Sequence, residues 1–434
     1  MSIQPQLKRF DLTMIVVSLV IGVGIFRTPA MVASSAGKEW VFYAAWITGG
    51  GISICGALTF AEIGARLPAA GAYYRIFSSA YHPAYAFMLN WSQVIINAGS
   101  SAGVAIIGAE YITPVLFPDV TDPIPVIRTI ALAIILLLFG INLLGIKMGA
   151  RTQNILSLLK IVMILTFCMA IFGSHAEPVS VHVPANWNFM HAFGIALISI
   201  FFTYGGYQQT VNFGADVIAP NKNIPRAIFT GVGIVIALYL FINFTYVQVL
   251  GFDKMQSSPL IARELAIALF GTVGGTIISV VLFTSVLGFL NTSVMSNPRV
   301  YYAMAEEKVL PPAFMQVNPR TQVQQFGLTF FVTVMAASVY LLGSFEDIVN
   351  YVLFIDSISL ASAAGALFVL RKRSGKEYTG FTLKGYPFVP AVFMIVLLFV
   401  TYNTIVGDIR SSGYGFFIFA MGLPLYLILR KLNK

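Results

Sequence analysis

Two glycine breaks inside long apolar segments are the residues of this chain best suited to bind a polar ligand. Gly22-Val23-Gly24 lies within the apolar run 12–32, and Gly205-Gly206 lies within the run 192–213. A break leaves backbone N–H and C=O groups without helical partners, which costs several kcal/mol per group in hydrocarbon. Such breaks persist where they line a polar site, and a matched pair of them points to the binding site of a secondary transporter.

The groups freed at the two breaks complement an α-amino acid. The amides of Gly22-Val23-Gly24-Ile25-Phe26 face a helix N-terminus, where a carboxylate is favoured. Carbonyls at both breaks suit an ammonium group; they belong to Val20, Ile21, Phe202, Thr203 and Gly205. The alternative is that the glycines only allow close helix packing. Because one chain carries two such breaks, a binding site is favoured over close packing alone.

Lys160 is a charged residue inside the otherwise uncharged apolar run 155–172. A lysine at this depth costs several kcal/mol unless it is satisfied, so it is a functional candidate by default. It could be a protonatable group or a fixed cation. The alternative is that its side chain extends to the membrane interface near Arg151.

Arg27 and Asp356 are two further charges within apolar segments. We expect both on the outer half of their helices, and an unpaired Asp there would be costly. An Arg27–Asp356 ion pair closing the outer side of the site is the resulting hypothesis. Alternatively, each residue meets water separately, or Asp356 is the counter-charge for a cationic substrate.

The polar wall expected for the substrate side chain comes from two segments. Asn97, Ser100 and Ser101 lie in one, and Tyr207 and Gln208 follow the second break. Hydrogen bonding between packed helices explains these residues equally well. The four histidines lack metal-ligand spacing and no Ser/His/Asp or Cys/His arrangement stands out, so we expect no enzyme, no cofactor and no metal site.

The elements that position these residues are membrane-spanning helices. Of 434 residues, 58% are hydrophobic and 10% are charged, and the mean hydropathy is +0.83, which excludes a soluble globular protein. Stretches of about 20 apolar residues can cross a bilayer. The sequence predicts twelve, near 12–32, 41–62, 84–110, 126–146, 152–173, 189–214, 226–250, 265–298, 326–343, 347–370, 387–406 and 414–430.

Charge distribution predicts the orientation of these spans. With both termini in the cytoplasm, most Lys and Arg residues lie inside, as the positive-inside rule requires. The outer side keeps only Lys38, Arg128, Lys254, Arg263 and Arg410. The net charge of +9 is then explained by topology and by the anionic lipid of the inner leaflet, without a nucleic-acid partner. We therefore expect a multi-pass protein of the plasma membrane.

The two breaks also predict an internal repeat. Five predicted spans begin at each break, and because five is odd, the second set enters the membrane in the opposite orientation. The expected fold class is an all-α membrane protein with twelve transmembrane helices, a five-plus-five inverted repeat and broken first and sixth helices. One domain would cover 1–434, with repeats at about 10–174 and 188–373 and additional helices at about 386–432.

Several motifs together resemble the amino acid-polyamine-organocation superfamily, particularly its L-type amino-acid transporter branch and the bacterial relatives of that branch. Their order and spacing extend over most of the first nine spans. The motifs are Gly22-Val23-Gly24-Ile25-Phe26 with Pro29, Gly56-Ala57-Leu58, Ala61-Glu62-Ile63-Gly64-Ala65-Arg66-Leu67-Pro68, Gly71-Ala72-Tyr73-Tyr74, Phe202-Thr203-Tyr204-Gly205-Gly206-Tyr207, Asn221-Lys222-Asn223-Ile224-Pro225-Arg226-Ala227, and Leu290-Asn291 through Pro298-Arg299 with Pro311.

The resemblance implies the inverted-repeat fold and amino-acid transport by alternating access. It implies that the substrate carboxylate sits on the amides of Val23, Gly24 and Ile25 and the ammonium on the carbonyls of both breaks. Phe202 matches the aromatic residue that covers bound substrate. Lys160 matches the lysine that replaces an ion of sodium-coupled relatives, and it would extend toward Gly22 and toward Thr284 or Ser285.

Two departures from the family pattern matter. Val23 stands where members often carry Ser or Thr, so backbone amides must hold the carboxylate without a hydroxyl. The loop 117–128 lacks the cysteine that bonds a heavy chain in the eukaryotic branch, and Cys55 and Cys168 both fall inside spans. No disulfide-linked heavy chain is therefore expected.

The resulting hypothesis is a sodium-independent transporter of neutral L-amino acids that works as an exchanger or a proton symporter. A cationic amino-acid or polyamine antiporter is the alternative within transporters. A membrane-embedded sensor or enzyme is the alternative from another class, but the sequence shows neither an output domain nor a cluster of reactive groups.

Overall fold

The computed structural model describes residues 3–173, 187–258, 260–341, 345–374, 378–407 and 409–432. Within these ranges the chain is mostly α-helical, with short 3-10 turns and connecting loops and no strand beyond two isolated bridges. The predicted repeat boundary at residue 174 lies outside the described residues.

The helices are α1 (Arg9–Val20), α2 (Thr28–Ala36), α3 (Glu39–Arg66), α4 (Ala72–Ala80), α5 (Pro83–Leu116), α6 (Pro123–Leu143), α7 (Ile146–Cys168), α8 (Phe189–Thr203), α9 (Pro220–Leu250), α10 (Phe252–Ser257), α11 (Ile261–Phe270), α12 (Gly274–Glu306), α13 (Gln325–Leu341), α14 (Phe345–Ser374), α15 (Phe388–Gly407) and α16 (Ile409–Leu432).

Ten described helices are long and apolar enough to cross a membrane, so this is a multi-pass membrane protein. Two of the twelve predicted spans are not among the ten. One is the broken pair α1 and α2, with 12 and 9 residues. The other is α13, an apolar helix of 17 residues.

Both glycine breaks interrupt helices. After α1 ends at Val20, a 3-10 turn forms at Gly24–Phe26 before α2 begins. After α8 ends at Thr203, Gly206 adopts a φ of 111°, and a 3-10 turn follows at Tyr207–Asn212. A Cβ at Gly206 would collide with the carbonyl of Leu19, so only glycine allows the two breaks to approach this closely.

One end of the bundle is closed by loops that meet in two isolated bridges. Leu7 pairs with Val217, and Ala70 pairs with Phe213. We call this the closed end. Beneath it, Arg299 forms a buried ion pair with Asp216 at 2.6 Å. The fully buried carboxylate of Glu62 also lies at this end and binds Arg66 at 2.7 Å and Arg371 at 2.5 Å.

Candidate functional site

A cavity of about 260 Å³ lies between the two helix breaks. Its backbone wall includes Gly22, Gly24, Gly205 and Gly206. Its apolar walls come from α1, α5, α8 and α12 and include Val104, Phe201, Phe202, Val286 and Phe289. Asn97, Ser100, Gln208, Gln209, Ser285 and Asp356 supply its polar side chains. A small polar molecule with an apolar portion fits this lining.

The first break presents three amides ahead of a 3-10 turn. The bonds of that turn begin with the Phe26 N–H donating to the carbonyl of Val23 at 3.1 Å. The N–H groups of Val23, Gly24 and Ile25 precede this ladder, as the first donors of any helix do. Gly22, Val23 and Gly24 line the cavity. Free N–H groups ahead of a helix are suited to an anion, and the carboxylate site stays a prediction.

The carbonyls of the first break are engaged by the protein. Val20 O accepts from the Gly22 amide at 2.9 Å and from the Tyr239 hydroxyl at 2.9 Å. Ile21 O accepts from Lys160 Nζ at 2.7 Å. Because a carbonyl has two lone pairs, these contacts leave little capacity at the first break for a substrate ammonium. This differs from the sequence-based expectation for Val20 and Ile21.

The second break offers carbonyls for an ammonium. Phe202 O accepts from the Gly205 amide at 3.1 Å and is also contacted by the Tyr204 amide, so it has little capacity left. In the described part of the chain, the carbonyls of Thr203 and Gly205 accept no hydrogen bond from the backbone N–H groups of turns, loops or helix caps. Thr203 and Gly205 both line the cavity.

Lys160 lies against the first break. Its side chain is 2% exposed. Besides the bond to Ile21, Nζ donates to Ser18 Oγ at 2.9 Å and to Ser18 O at 3.3 Å. It therefore does not extend to the interface. A Cβ at Gly288 of α12 would lie 2.8 Å from Lys160 Cε, so the absence of a side chain there makes room for the ammonium.

Thr284 and Ser285 are the two residues expected near Lys160 on the eighth predicted span, which corresponds to α12. Of these two, Ser285 lies close to the first break. Ser285 Oγ lies 3.4 Å from Gly22 O and 3.5 Å from Ile21 O. Thr284 Oγ1 instead bonds Val280 O of its own helix at 2.8 Å. Ser285 and Lys160 thus converge on the same carbonyl from α12 and α7.

Asp356 lies on the closed-end side of the cavity, and Arg27 lies on the opposite side. Asp356 Oδ1 accepts from Gln93 Nε2 at 2.6 Å, whereas Arg27 shares a separate cavity with Tyr111 and Arg263. Gln93 and Tyr111 are 18 residues apart on α5, which is about 27 Å of helix. The expected Arg27–Asp356 ion pair is therefore absent, because hydropathy placed Asp356 too close to the outer face.

A second, small polar cavity adjoins the first toward the closed end. It is rich in carboxamides and shares Asn97, Gln208, Gln209 and Asp356 with the larger cavity. Tyr73 and Asn212 from the closed end also line it. Asn97 Nδ2 donates to Asn297 Oδ1 at 2.9 Å. The larger cavity thus continues into a polar pocket that contains a carboxylate.

Three predicted site residues point away from the cavity. Ser101 Oγ lies 2.7 Å from Ser293 Oγ, and both side chains are buried between α5 and α12. The Tyr207 hydroxyl packs against Gly56 of α3. The side chain of Ile25 is fully buried in the core, whereas the prediction for Ile25 concerns its backbone amide at the first break. For Ser101 and Tyr207 the helix-packing alternative describes the observed contacts.

Sequence reasoning missed four residues that organise the site. Ser18 and Gly288 surround Lys160, Tyr239 bonds the first break, and Gln93 bonds Asp356. Ser, Tyr and Gln inside apolar spans are weak signals, because such residues commonly bond their own helix. Gly288 carried no signal, since small residues are common at helix interfaces in membranes.

Similarity to other proteins agrees with this geometry. A sequence model described as amino acid permease matches residues 7–429. The chain is 31% identical over 428 residues to the serine/threonine exchanger SteT of Bacillus subtilis (strain 168), covering 97% of this chain and 96% of that protein. It is 26% identical to the mouse (Mus musculus) Asc-type amino acid transporter 1, covering 95% and 79%. It is 25% identical to the human (Homo sapiens) large neutral amino acids transporter small subunit 2, covering 95% and 78%.

Proposed function

The chain belongs to the amino acid permease family, and on that premise we propose that it transports neutral L-amino acids across the plasma membrane by alternating access. The observation that carries the proposal is the cavity between the two broken helices, which presents unpaired amides on one side and carbonyls on the other. Those two sets of groups complement the carboxylate and the ammonium of one α-amino acid.

The proposed architecture is a single domain over 1–434 with twelve spans. Ten long apolar helices, the broken pair α1 and α2, and α13 supply the number. The breaks after Val20 and Thr203 would head two inverted repeats of five spans, and α15 and α16 would follow them. The positive-inside rule would put the closed end and both termini in the cytoplasm.

We propose that the substrate carboxylate binds the amides of Val23 and Gly24 and that the ammonium binds the carbonyls of Thr203 and Gly205. Phe202 lines the same cavity and would cover the bound substrate. The side chain would then point toward α5 and α12, between the apolar Val104 and Phe289 and the polar Ser100 and Gln208. This mixed wall suits small and medium neutral side chains.

Sodium independence is proposed from Lys160. Its ammonium already bonds the carbonyl of Ile21 at the break, where an ion would otherwise have to balance the exposed oxygen. Between the two remaining mechanisms we favour exchange over proton symport. A relative is named as a serine/threonine exchanger, which supports both the exchange mode and a neutral hydroxyl-bearing substrate.

Uptake competition in proteoliposomes tests the substrate class. Purified protein would be loaded with unlabelled serine and supplied with radiolabelled serine outside. Unlabelled alanine, serine, threonine and leucine should inhibit uptake, and arginine and putrescine should inhibit at least tenfold less, a difference of about 1.4 kcal/mol. The converse ranking would contradict a neutral-substrate transporter. Empty vesicles without internal substrate are the control for exchange.

A cationic amino-acid or polyamine antiporter is the second candidate, because Asp356 lines the cavity and has no ion pair with another described residue. Asp356→Asn decides between the two. For a neutral substrate, the asparagine can keep a hydrogen bond to Gln93, and we expect the KM for serine to stay within about threefold. A carrier of cations would instead lose arginine uptake tenfold or more. Radiolabelled serine and arginine uptake by both proteins would be measured side by side.

A further inference from the structure

A groove of about 670 Å³ lies outside the substrate cavity, between the closed-end parts of α3 and α9. The segment after α14 forms its third wall through Gly380 and Phe381. Leu58 of α3 and Phe229 of α9 line its deeper part. Nothing in the proposed transport cycle uses this groove.

Two exposed cations stand at the entrance of the groove. Lys222 and Arg226 are four residues apart on α9, so they lie on one face of the helix. Within the described ranges, the ion pairs of this protein involve neither of them. Arg9 lies nearby, because its guanidinium donates to Thr230 Oγ1 on the same helix at 3.0 Å. The entrance is therefore positively charged and complementary to an anion.

The same helix face turns apolar deeper in the membrane. Phe229 lies three residues beyond Arg226 and is 55% exposed. Gly233 follows one turn later, and a Cβ there would have no heavy atom within 4 Å. Phe229 and Gly233 thus form an apolar strip on the open face of α9, along which a hydrocarbon chain can lie, and we call this strip the apolar channel. Because α9 begins at Pro220, the cations lie at the end of the span and the channel lies inside it.

We propose that this groove binds an anionic phospholipid. The phosphate group lies between Lys222 and Arg226, and one acyl chain passes Phe229 and fills the space over Gly233. A free anion would use the two cations but not the apolar channel, whereas a zwitterionic lipid would gain less from the charges. Proposed topology places the site in the anionic cytoplasmic leaflet, where such lipids are abundant.

A lipid in this groove also acts on the first helix break, through α9. α9 carries Gly231, which packs on Val16 of α1, and Tyr239, whose hydroxyl bonds Val20 O. A lipid held on the outer face of α9 stabilises the helix that holds the first break in place.

Native mass spectrometry of the detergent-purified full chain, titrated with dioleoyl-phosphatidylglycerol, tests the site. Wild type should retain one tightly bound lipid, and K222Q/R226Q should bind it about tenfold more weakly. The matched control is K147Q/R151Q, which removes two exposed charges from α7 without touching the groove. Equal affinity in wild type and K222Q/R226Q, or equal loss in the control, would overturn the proposal.

Gly233→Leu distinguishes a lipid from a free anion. Leucine has a higher helix propensity than glycine, and an added Cβ at this position meets open space, so the protein should fold. The leucine side chain would then occupy the apolar channel. We expect phosphatidylglycerol binding to fall at least fivefold. Unchanged binding, or displacement of the lipid by millimolar inorganic phosphate, would mean a free-anion site and would refute the proposal. Lipid binding is measured without transport, so its failure is separate from any failure of the proposed function.

Discussion

Lys160→Ala should lower serine exchange about 100-fold, while wild-type exchange should be unaffected when sodium is replaced by choline or potassium. The ammonium donates three hydrogen bonds to Ser18 and Ile21 at the first break. Bonds from a charged donor contribute about 1.5–3 kcal/mol each, and the orphaned Ile21 carbonyl adds a desolvation cost. The loss would displace the break whose amides are proposed to hold the carboxylate.

Lys160→Arg should recover only part of the activity. A guanidinium keeps the charge but is wider than an ammonium, and the space beside Lys160 depends on Gly288, which has no side chain. Lys147→Ala is the matched control, because Lys147 is an exposed lysine of the same helix. Exchange would be measured in proteoliposomes with and without internal serine and with and without an inward pH gradient.

Three results would contradict this account of Lys160. One is strict dependence on a sodium gradient, and another is wild-type exchange by Lys160→Ala. The third result is accumulation driven by a pH gradient without internal substrate. It would contradict only the proposed exchange mechanism and would indicate proton symport instead. Retention of the folded state must be verified by thermal unfolding, since a buried charge and its partners are being separated.

Gly22→Val should abolish substrate binding in a protein that still folds. A Cβ at Gly22 would have no heavy atom within 4 Å, and Gly22 lines the substrate cavity. The Cβ of the valine therefore meets no protein atom, and its side chain occupies part of the cavity proposed for the substrate. We expect serine affinity to fall at least 100-fold, measured by scintillation proximity binding, and the melting temperature to stay close to that of wild type.

Substitutions at three other glycines provide comparisons for that result. Gly140→Val also meets open space, but on exposed α6, so binding should be unchanged. Gly206→Ala should lose both fold and binding, because φ is 111° and the Cβ would collide with Leu19 O. A Cβ at Gly24 would be in ordinary van der Waals contact with Thr203 at 3.4 Å, and because Gly24 lines the cavity, Gly24→Val should also lose binding. Normal affinity in Gly22→Val would place the substrate elsewhere.

The sequence by itself determined the class of the protein, the two breaks and the presence of a charged lysine, Lys160, inside an apolar span. These features depend on the cost of exposing backbone or charge to hydrocarbon, and that cost is a local property that can be read from residue type and run length. The breaks after Val20 and Thr203 and the buried, fully bonded Lys160 are where this reasoning placed them.

Only the tertiary structure decided which groups remain for a substrate and which charges meet. Hydropathy gives the approximate depth of a residue but not the rotation or axial offset of its helix. Asp356 therefore lies beside Gln93 rather than near Arg27, whose neighbour Tyr111 is 18 residues farther along α5. Rotation likewise turned Ser101 toward Ser293 and Tyr207 toward Gly56. The carbonyls of Val20 and Ile21 became unavailable because Tyr239 and Lys160, distant in sequence, reach them. Helix packing alone fixes such partnerships, since it depends on side-chain shape across several segments at once.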